Sequence, residues 1–313
     1  MTWRHPLSGE PLKVGRDNHL YDMSGQLAFQ NQDGSYDFVV DAPSQQERAH
    51  FETTYENGGW WAGTDSLDDI DLPSLWAGSQ EYLRSLGELT GKSVLLIGNG
   101  TSVKELLFVT LGAHVTITDL SFQGVVYAKR RFRASSLGMK RPTDCEFHAV
   151  NAYYLPFEDN TFDVVCGDAV IHHMRDLTTL FRGIHRCLKP GGYCRFLDTA
   201  YSPLWQLSKR SILRPLQKWS HKKHGISPED KEATERGGYT WEELVQLKRT
   251  LGFRSVYYRR TGLLDYLLWR ARCKLNAPWL LSLRPATLWT DRMLAKTPIM
   301  KTQGISLVFG FDK

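Results

Sequence analysis

Cysteine is scarce in this 313-residue chain. Its five cysteines, Cys145, Cys166, Cys187, Cys194 and Cys273, are odd in number, widely spaced and never paired as CxxC. That pattern signals neither a disulfide framework nor a zinc site, and the thiols read as small, reduced core residues. Long hydrophobic runs are also missing: no stretch approaches the roughly 18 apolar residues that cross a bilayer. The first thirty residues lack a basic start followed by an apolar run, so a cytoplasmic protein is expected. No internal repeat or low-complexity tract is visible, and 42% hydrophobic with 23% charged residues is ordinary for a globular fold. The length exceeds one average domain, which suggests one large core with additions.

The charge is unevenly distributed. Residues 201–313 carry 21 Lys and Arg against 9 Asp and Glu, whereas residues 1–200 carry 18 against 25. A basic C-terminal third can attract nucleic acid, an anionic membrane surface or an anionic small substrate, and it can equally be a solvated helical face.

Residues 1–45 are short apolar pieces broken at Ser8-Gly9, Ser24-Gly25 and Asp33-Gly34, which suits a small β-rich module. Residues 46–90 turn helical and aromatic and read as a lead-in. From residue 91 onward, β-branched runs alternate with amphipathic stretches, the pattern of a parallel α/β sheet covered on both faces. Strands are expected at Ser93–Ile97, His114–Asp119, Cys145–Val150, Phe162–Gly167 and Gly192–Thr199, with helices at Val103–Leu111, Phe122–Leu137 and Leu177–Leu188. Further on, Thr240-Trp-Glu-Glu243 reads as a capping box opening a helix to Leu251. A strand near Phe253–Tyr258 and a last strand at Gly304–Phe311 follow.

In such a sheet, ligands bind beyond the carboxyl ends of the strands, where the strand order reverses. The first strand runs into Gly98-Asn99-Gly100, where glycine lets the backbone turn tightly or approach a ligand. The second ends at Asp119, placed to accept hydrogen bonds from ribose hydroxyls, although a dinucleotide enzyme has the same spacing. Then come Asn151-Ala152, Leu155-Pro156-Phe157, Phe162-Asp163-Val164-Val165, His172-His173 and Leu188-Lys-Pro-Gly-Gly192.

This ordered set resembles the ubiquinone-biosynthesis-like small-molecule family of class I S-adenosylmethionine-dependent methyltransferases (methyltransferase type 11). The resemblance covers about residues 90–200 and implies a Rossmann-like doubly wound seven-stranded sheet with an antiparallel last strand. It also implies S-adenosyl-L-methionine as cofactor, with Gly98, Asn99 and Gly100 along its methionine part. Asp119 would sit on the ribose, Leu120 beside the adenine, Asn151 and Ala152 at the adenine amino edge, and Gly167 and Asp168 near the sulfonium. Two positions depart from the pattern: Leu96 stands where the family has an acid, and Ser102 where it has a third glycine. Asp168 or Tyr55 would then hold the cofactor's amino group. The segments His5-Pro6-Leu7-Ser8-Gly9 and Asp33–Phe38 resemble a degenerate zinc-ribbon-like module with His5 and Ser8 in place of cysteines. Without those thiolates no metal is expected, and the module is left as a packing or homodimerisation element.

Methyl transfer from a sulfonium is a direct displacement, so positioning carries most of the catalysis. His172 and His173 are the candidate catalytic bases, and they can equally serve to orient the cofactor loop. Two connections are long, at about 200–239 and 259–303, and both are expected to emerge over the cofactor as helical lid insertions. Their aromatic, aliphatic and basic composition suits a small apolar or aromatic, anionic acceptor methylated on oxygen or nitrogen. A membrane-associated lipid or saccharide carrier is the variant, because the Leu263–Trp269 and Trp279–Leu283 stretches are flanked by Arg and Lys. RNA or protein as acceptor is disfavoured, because Gly167-Asp168-Ala169 stands where an NPPY-type motif would be and no nucleic-acid module is present. A non-catalytic binding protein on the same fold is the remaining reading.

Overall fold

A computed structural model gives the architecture, and it describes residues 2–55, 67–69, 79–103, 105–200, 239–265, 267–268, 278–294 and 297–313. The apolar runs of the central segment become strands β5 (Ser93–Ile97), β6 (His114–Asp119), β7 (Cys145–Ala149), β8 (Phe162–Asp168) and β9 (Leu188–Thr199). They join β10 (Ser255–Thr261) and β11 (Ser306–Asp312) in one sheet of order β10-β11-β9-β8-β5-β6-β7. β11 runs antiparallel to both neighbours, and the remaining pairs are parallel. Both faces are covered, which is why these strands read as continuous apolar runs. Successive residues of β5 point to opposite faces: Leu95 and Ile97 join the core layer of Phe181, Phe196 and Phe309, while Val94 and Leu96 join that of Val115, Phe132 and Val308.

β5 has β8 on one side and β6 on the other, so the reversal of strand order falls at β5 and β8. Their carboxyl ends, Ile97 and Asp168, define the crevice available to a ligand.

Three local expectations are refined. After helices α1 (Ala42–Tyr55) and α2 (Gln80–Leu86), the helix expected over Phe122–Leu137 is two, α3 (Phe122–Ala134) and α4 (Ser136–Lys140), because Ser135 turns extended at ψ 157° and its Oγ accepts from the Gly138 amide at 3.1 Å. Glu105–Leu111 forms 3-10 turns in place of an α-helix. The Leu188–Gly192 segment already belongs to β9, after helix α5 (Leu177–Cys187) has ended, and Gly191 takes the positive φ of 78°. The capping box is present as expected: Thr240 Oγ1 accepts from the Glu243 amide and the Glu243 carboxylate accepts from the Thr240 amide, opening helix α6 (Trp241–Leu251).

At the N-terminus four short strands, β1 (Trp3–Arg4), β2 (Pro11–Val14), β3 (Leu20–Tyr21) and β4 (Leu27–Phe29), make a small antiparallel meander. The chain beyond it pairs with the edge strand β7: Phe38 N donates to Ala149 O at 2.8 Å and Ala149 N to Tyr36 O at 3.0 Å. That covers an edge otherwise open to unwanted pairing. Trp3, Phe29 and Phe38 are continuous with Phe157 and Phe162 in one apolar cluster, so the meander shares the core of the main sheet. Of the insertions, 201–238 lies outside the described residues. The second contributes the helical turns Pro278–Leu283, α7 (Arg284–Leu294) and α8 (Pro298–Gln303).

Buried His148 joins the meander to β7. Its ring lies 4.8 Å from that of Trp3 and stacks on Tyr36 at 5.6 Å, and its Nδ1 accepts from the Tyr36 amide at 3.2 Å. Nε2 is 3.7 Å from Glu146 Oε2, too far for a hydrogen bond. Burial holds the imidazole below its ordinary value of 6.5 despite Glu146. The unfolded chain therefore takes up a proton first as pH falls, and stability contributed here is lost below about 6.5. His148→Phe cannot accept the Tyr36 amide, so it is expected to cost about 1–3 kcal/mol at pH 7. Between pH 7 and pH 5 the wild type should lose ground to the variant, as read from guanidinium unfolding midpoints; identical pH slopes would refute the assignment.

Candidate functional site

The carboxyl ends of β5, β6, β8 and β9 bring together the glycine turn, two buried aspartates and the paired histidines. Gly98 and Gly100 have φ of 67° and 53°, and their neighbours leave no room for a side chain. A Cβ on Gly98 would meet Val170 Cγ2 at 2.1 Å, and one on Gly100 would meet the Tyr55 hydroxyl at 2.8 Å. Asn99 Nδ2 donates to the carbonyls of Gly100 and Ser102, at 3.1 and 3.3 Å. Its Oδ1 is buried with no hydrogen-bond donor among the described residues. Behind the turn, Arg131 of α3 is almost fully buried and donates from Nη2 to the carbonyls of Thr101 and Ser102, at 2.6 and 3.1 Å. A guanidinium thus fixes the backbone at Thr101 and Ser102.

Asp119 accepts from the Gly100 amide on one carboxyl oxygen at 2.6 Å and from the Ser121 amide on the other at 2.9 Å. Burial pushes its carboxyl up to about 6 against these two amides. Backbone amides alone, including a weaker contribution from Leu120, do not compensate its desolvation. Vicinal hydroxyls of a ribose would supply the missing donors, and Asn99 Oδ1 lacks one as well. Both observations fit a nucleoside-bearing ligand.

Asp198, near the carboxyl end of β9, was not singled out from the sequence. Its side chain is fully buried, and its Oδ1 meets His172 Nδ1 at 2.9 Å while its Oδ2 accepts from the His172 amide at 3.0 Å. Burial alone would raise this carboxyl, but the His172 charge and the hydrogen bonds from His172 and Thr199 outweigh it and hold the group below 3.8. An ionised carboxylate on Nδ1 selects the Nδ1–H tautomer and leaves Nε2 as the ring's acceptor nitrogen, the arrangement a general base needs. Buried Tyr239 supports the same turn by donating to Ile171 O at 2.7 Å.

Helix α1 (Ala42–Tyr55) crosses these loops. At its start Ser44 Oγ accepts from Asn151 Nδ2 at 2.6 Å, and Asp41 Oδ1 lies 3.3 Å from the same amide. Further along, Phe51 packs edge-on against His173 at 5.9 Å, and His173 in turn lies 4.0 Å from the His172 ring. At its end, Tyr55 rests on Gly100 and Gly124. One helix therefore touches the loops after β5, β7 and β8.

Of the residues expected to bind the cofactor, Gly98, Asn99, Gly100 and Asp119 form one connected cluster. Asn151 Nδ2 is taken up by α1, and its Oδ1 accepts from the Tyr153 amide at 2.9 Å. Ala152 is buried and Leu120 half-buried. Gly167 is packed against Ile97 O and Val170, and Asp168 is half-exposed at the end of β8, beside Ala169 with its positive φ of 57°. Asp198 had a sequence signal, an acid at a strand end like Asp119; Arg131 and Ser44 had none.

Residues 95–196 match the methyltransferase domain family model. A phthiotriol/phenolphthiotriol dimycocerosates methyltransferase of Mycobacterium ulcerans is 32% identical over 153 residues, which is 43% of this chain and 54% of that protein. A demethylmenaquinone methyltransferase of Streptomyces avermitilis is 25% identical over 156 residues, 49% of this chain and 62% of that protein. The chain thus spans little more than half the length of these curated relatives. Among solved structures, phosphoethanolamine N-methyltransferase 2 of Haemonchus contortus in complex with S-adenosyl-L-methionine shares the fold, with a TM-score of 0.55 and 18% identity over 88% of this chain and 61% of that one.

The Asp198 contact is testable without a substrate. Nitrogen-15 shifts of His172 should report Nδ1–H with an unprotonated Nε2 in the wild type, and Asp198→Asn should increase the Nε2–H form by offering its own N–H to Nδ1. Unchanged tautomer populations would contradict the assignment. Asp198→Ala should cost about 1–3 kcal/mol, as leaving the His172 donors without an acceptor does.

Proposed function

We propose that this chain is an S-adenosylmethionine-dependent methyltransferase that methylates oxygen or nitrogen of a small, apolar or aromatic metabolite carrying an anionic group. The observation that carries the reading is the under-supplied Asp119 carboxylate bonded to the Gly100 amide at the sheet's switch point, inside the segment that matches the methyltransferase domain. The bound cofactor supplies an electrophilic methyl group on a sulfonium. The chain's own residues do the rest. Gly98, Asn99 and Gly100 line the methionine portion, and Asp119 accepts from the ribose. Leu120, Asn151 and Ala152 border the adenine, with Gly167 and Asp168 toward the reacting end. His172, oriented by Asp198 and flanked by His173, removes a proton from an acceptor that must lose one. Tyr55 covers the glycine turn and Phe51 packs on His173.

The substrate class is inferred from composition and from relatives. The Mycobacterium, Streptomyces and Haemonchus proteins are named for phthiotriol and phenolphthiotriol dimycocerosates, demethylmenaquinone and phosphoethanolamine. A lipid-like acceptor is the favoured variant, because apolar side chains stand exposed on the second insertion.

Asp119 sets the pH dependence of cofactor binding. Its folded value of about 6 lies above the ordinary 3.8, so stability contributed by its protonated form is fully present below 3.8 and lost as pH rises through 6. Hydroxyl donors favour the ionised form, so S-adenosylmethionine should bind about tenfold more weakly per pH unit below 6 and release a proton on binding there. Isothermal titration in buffers of different ionisation heat should show that proton near pH 5.5 and none at pH 8. Asp119→Ala should weaken binding by about 10- to 100-fold, the worth of charge-assisted hydrogen bonds. Absence of heat from folded wild-type protein would overturn the proposal.

A further inference from the structure

The second insertion is anchored at the mouth of the candidate site. Ser306 pairs with Thr199 and Leu307 with Asp198, and Ala200 N donates to Ile305 O at 2.6 Å, so the chain of 262–305 leaves and rejoins the sheet beside the carboxylate that holds His172. Its inner side is tied down. Buried Asp291 accepts from the amides of Leu264 and Asp265, at 2.9 and 3.0 Å, Asp265 lies 3.2 Å from the Arg284 Nε, and Leu294 packs with Leu263, Met300 and Ile305.

The outer side has an unusual make-up. On α7, Trp289 and Met293 are one turn apart and 62% and 63% exposed, with exposed Arg292 on the same face. Trp279, 67% exposed, precedes them in the turn leading to α7, and Ile299, 52% exposed, follows on α8. Residues 259–303 contain 9 Lys and Arg against 2 Asp, and those two, Asp265 and Asp291, are the ones turned inward. Among the described residues, the exposed side of α7 therefore presents an indole, a thioether and a guanidinium and no carboxylate. A single exposed apolar residue is ordinary, whereas a cluster of this kind marks a binding surface. A second copy of the same face would bring cations against cations. An anionic bilayer matches both components, since indole and thioether enter the headgroup region while Arg meets lipid phosphate.

We propose that the exposed face of α7, with Trp289, Arg292 and Met293, docks on an anionic lipid surface and sets the entrance of the site against the membrane. Docking does not depend on the reaction proposed above and is tested separately from it.

The test is sedimentation of the full chain with vesicles of phosphatidylglycerol and phosphatidylcholine against vesicles of phosphatidylcholine alone. Binding to the anionic vesicles is expected, weakening when ionic strength rises from about 0.1 M to about 1 M and the screening length falls from about 10 Å to about 3 Å. Trp289→Ser with Met293→Ser should weaken binding at least about tenfold by removing buried apolar area. Arg292→Glu should weaken it about tenfold or more. Both variants change exposed side chains, so S-adenosylmethionine binding heat should be unchanged; its loss would itself exclude a purely peripheral role for the face. No sedimentation of the wild type, or equal sedimentation of wild type and variants, would overturn the proposal. So would a wild-type dimer in velocity sedimentation that the Trp289/Met293 variant converts to monomer.

Discussion

Desolvation of the Asp119 carboxylate is the constraint on which the cofactor end of the site depends. β6 delivers this acid into the crevice, where the Gly100 and Ser121 amides donate to it at 2.6 and 2.9 Å and the Leu120 amide adds a weaker contribution. The Gly100 bond closes the turn after β5 onto the end of β6, and the turn's positive φ values are fixed on its other side by Val170 and Tyr55. Because backbone amides alone do not offset its burial, the free protein carries a cost there that a hydroxyl-bearing ligand removes. Binding sites commonly store strain of this kind, held in place by a rigid surround. Here that surround is the seven-stranded sheet and buried Arg131.

The second carboxylate shows the opposite balance. Asp198 is equally buried, yet His172 and its backbone donors keep it ionised. Two acids at the carboxyl edge of one sheet thus differ because one is bonded to the His172 ring and amide and the other awaits donors. The first can accept a ligand; the second can orient an imidazole. α1 joins the two regions by touching Asn151, His173 and Gly100 along its length.

Much of this was legible in the sequence where one residue type answered one local demand. The strands of 93–199 followed from apolar runs, the crevice from glycine and acid at strand ends, and α6 from the Thr240–Glu243 box. What escaped detection depended on tertiary placement. The Asp198–His172 contact requires β9 to lie beside β8, which spacing along the chain does not state. Arg131 reads as one more surface base within Lys129-Arg-Arg-Phe-Arg133, and only the turn of α3 sends it inward. The break at Ser135 was hidden because Gly138 reads as an ordinary helical interruption, whereas a Cβ there would lie 1.9 Å from Phe132 O. Asn151 was legible as a site residue, but the claim of α1 on its amide was not.

The account rests most directly on Asp119 changing its proton affinity when a ligand arrives. Carbon-13 titration of the Asp119 carboxyl, assigned through Asp119→Asn and followed with and without S-adenosylhomocysteine, measures this. The account predicts a midpoint near 6 in the free protein that falls to the ordinary carboxyl value of 3.8 or below in the complex. A midpoint already near 3.8 in the free protein, or one that ligand leaves unmoved, would contradict it.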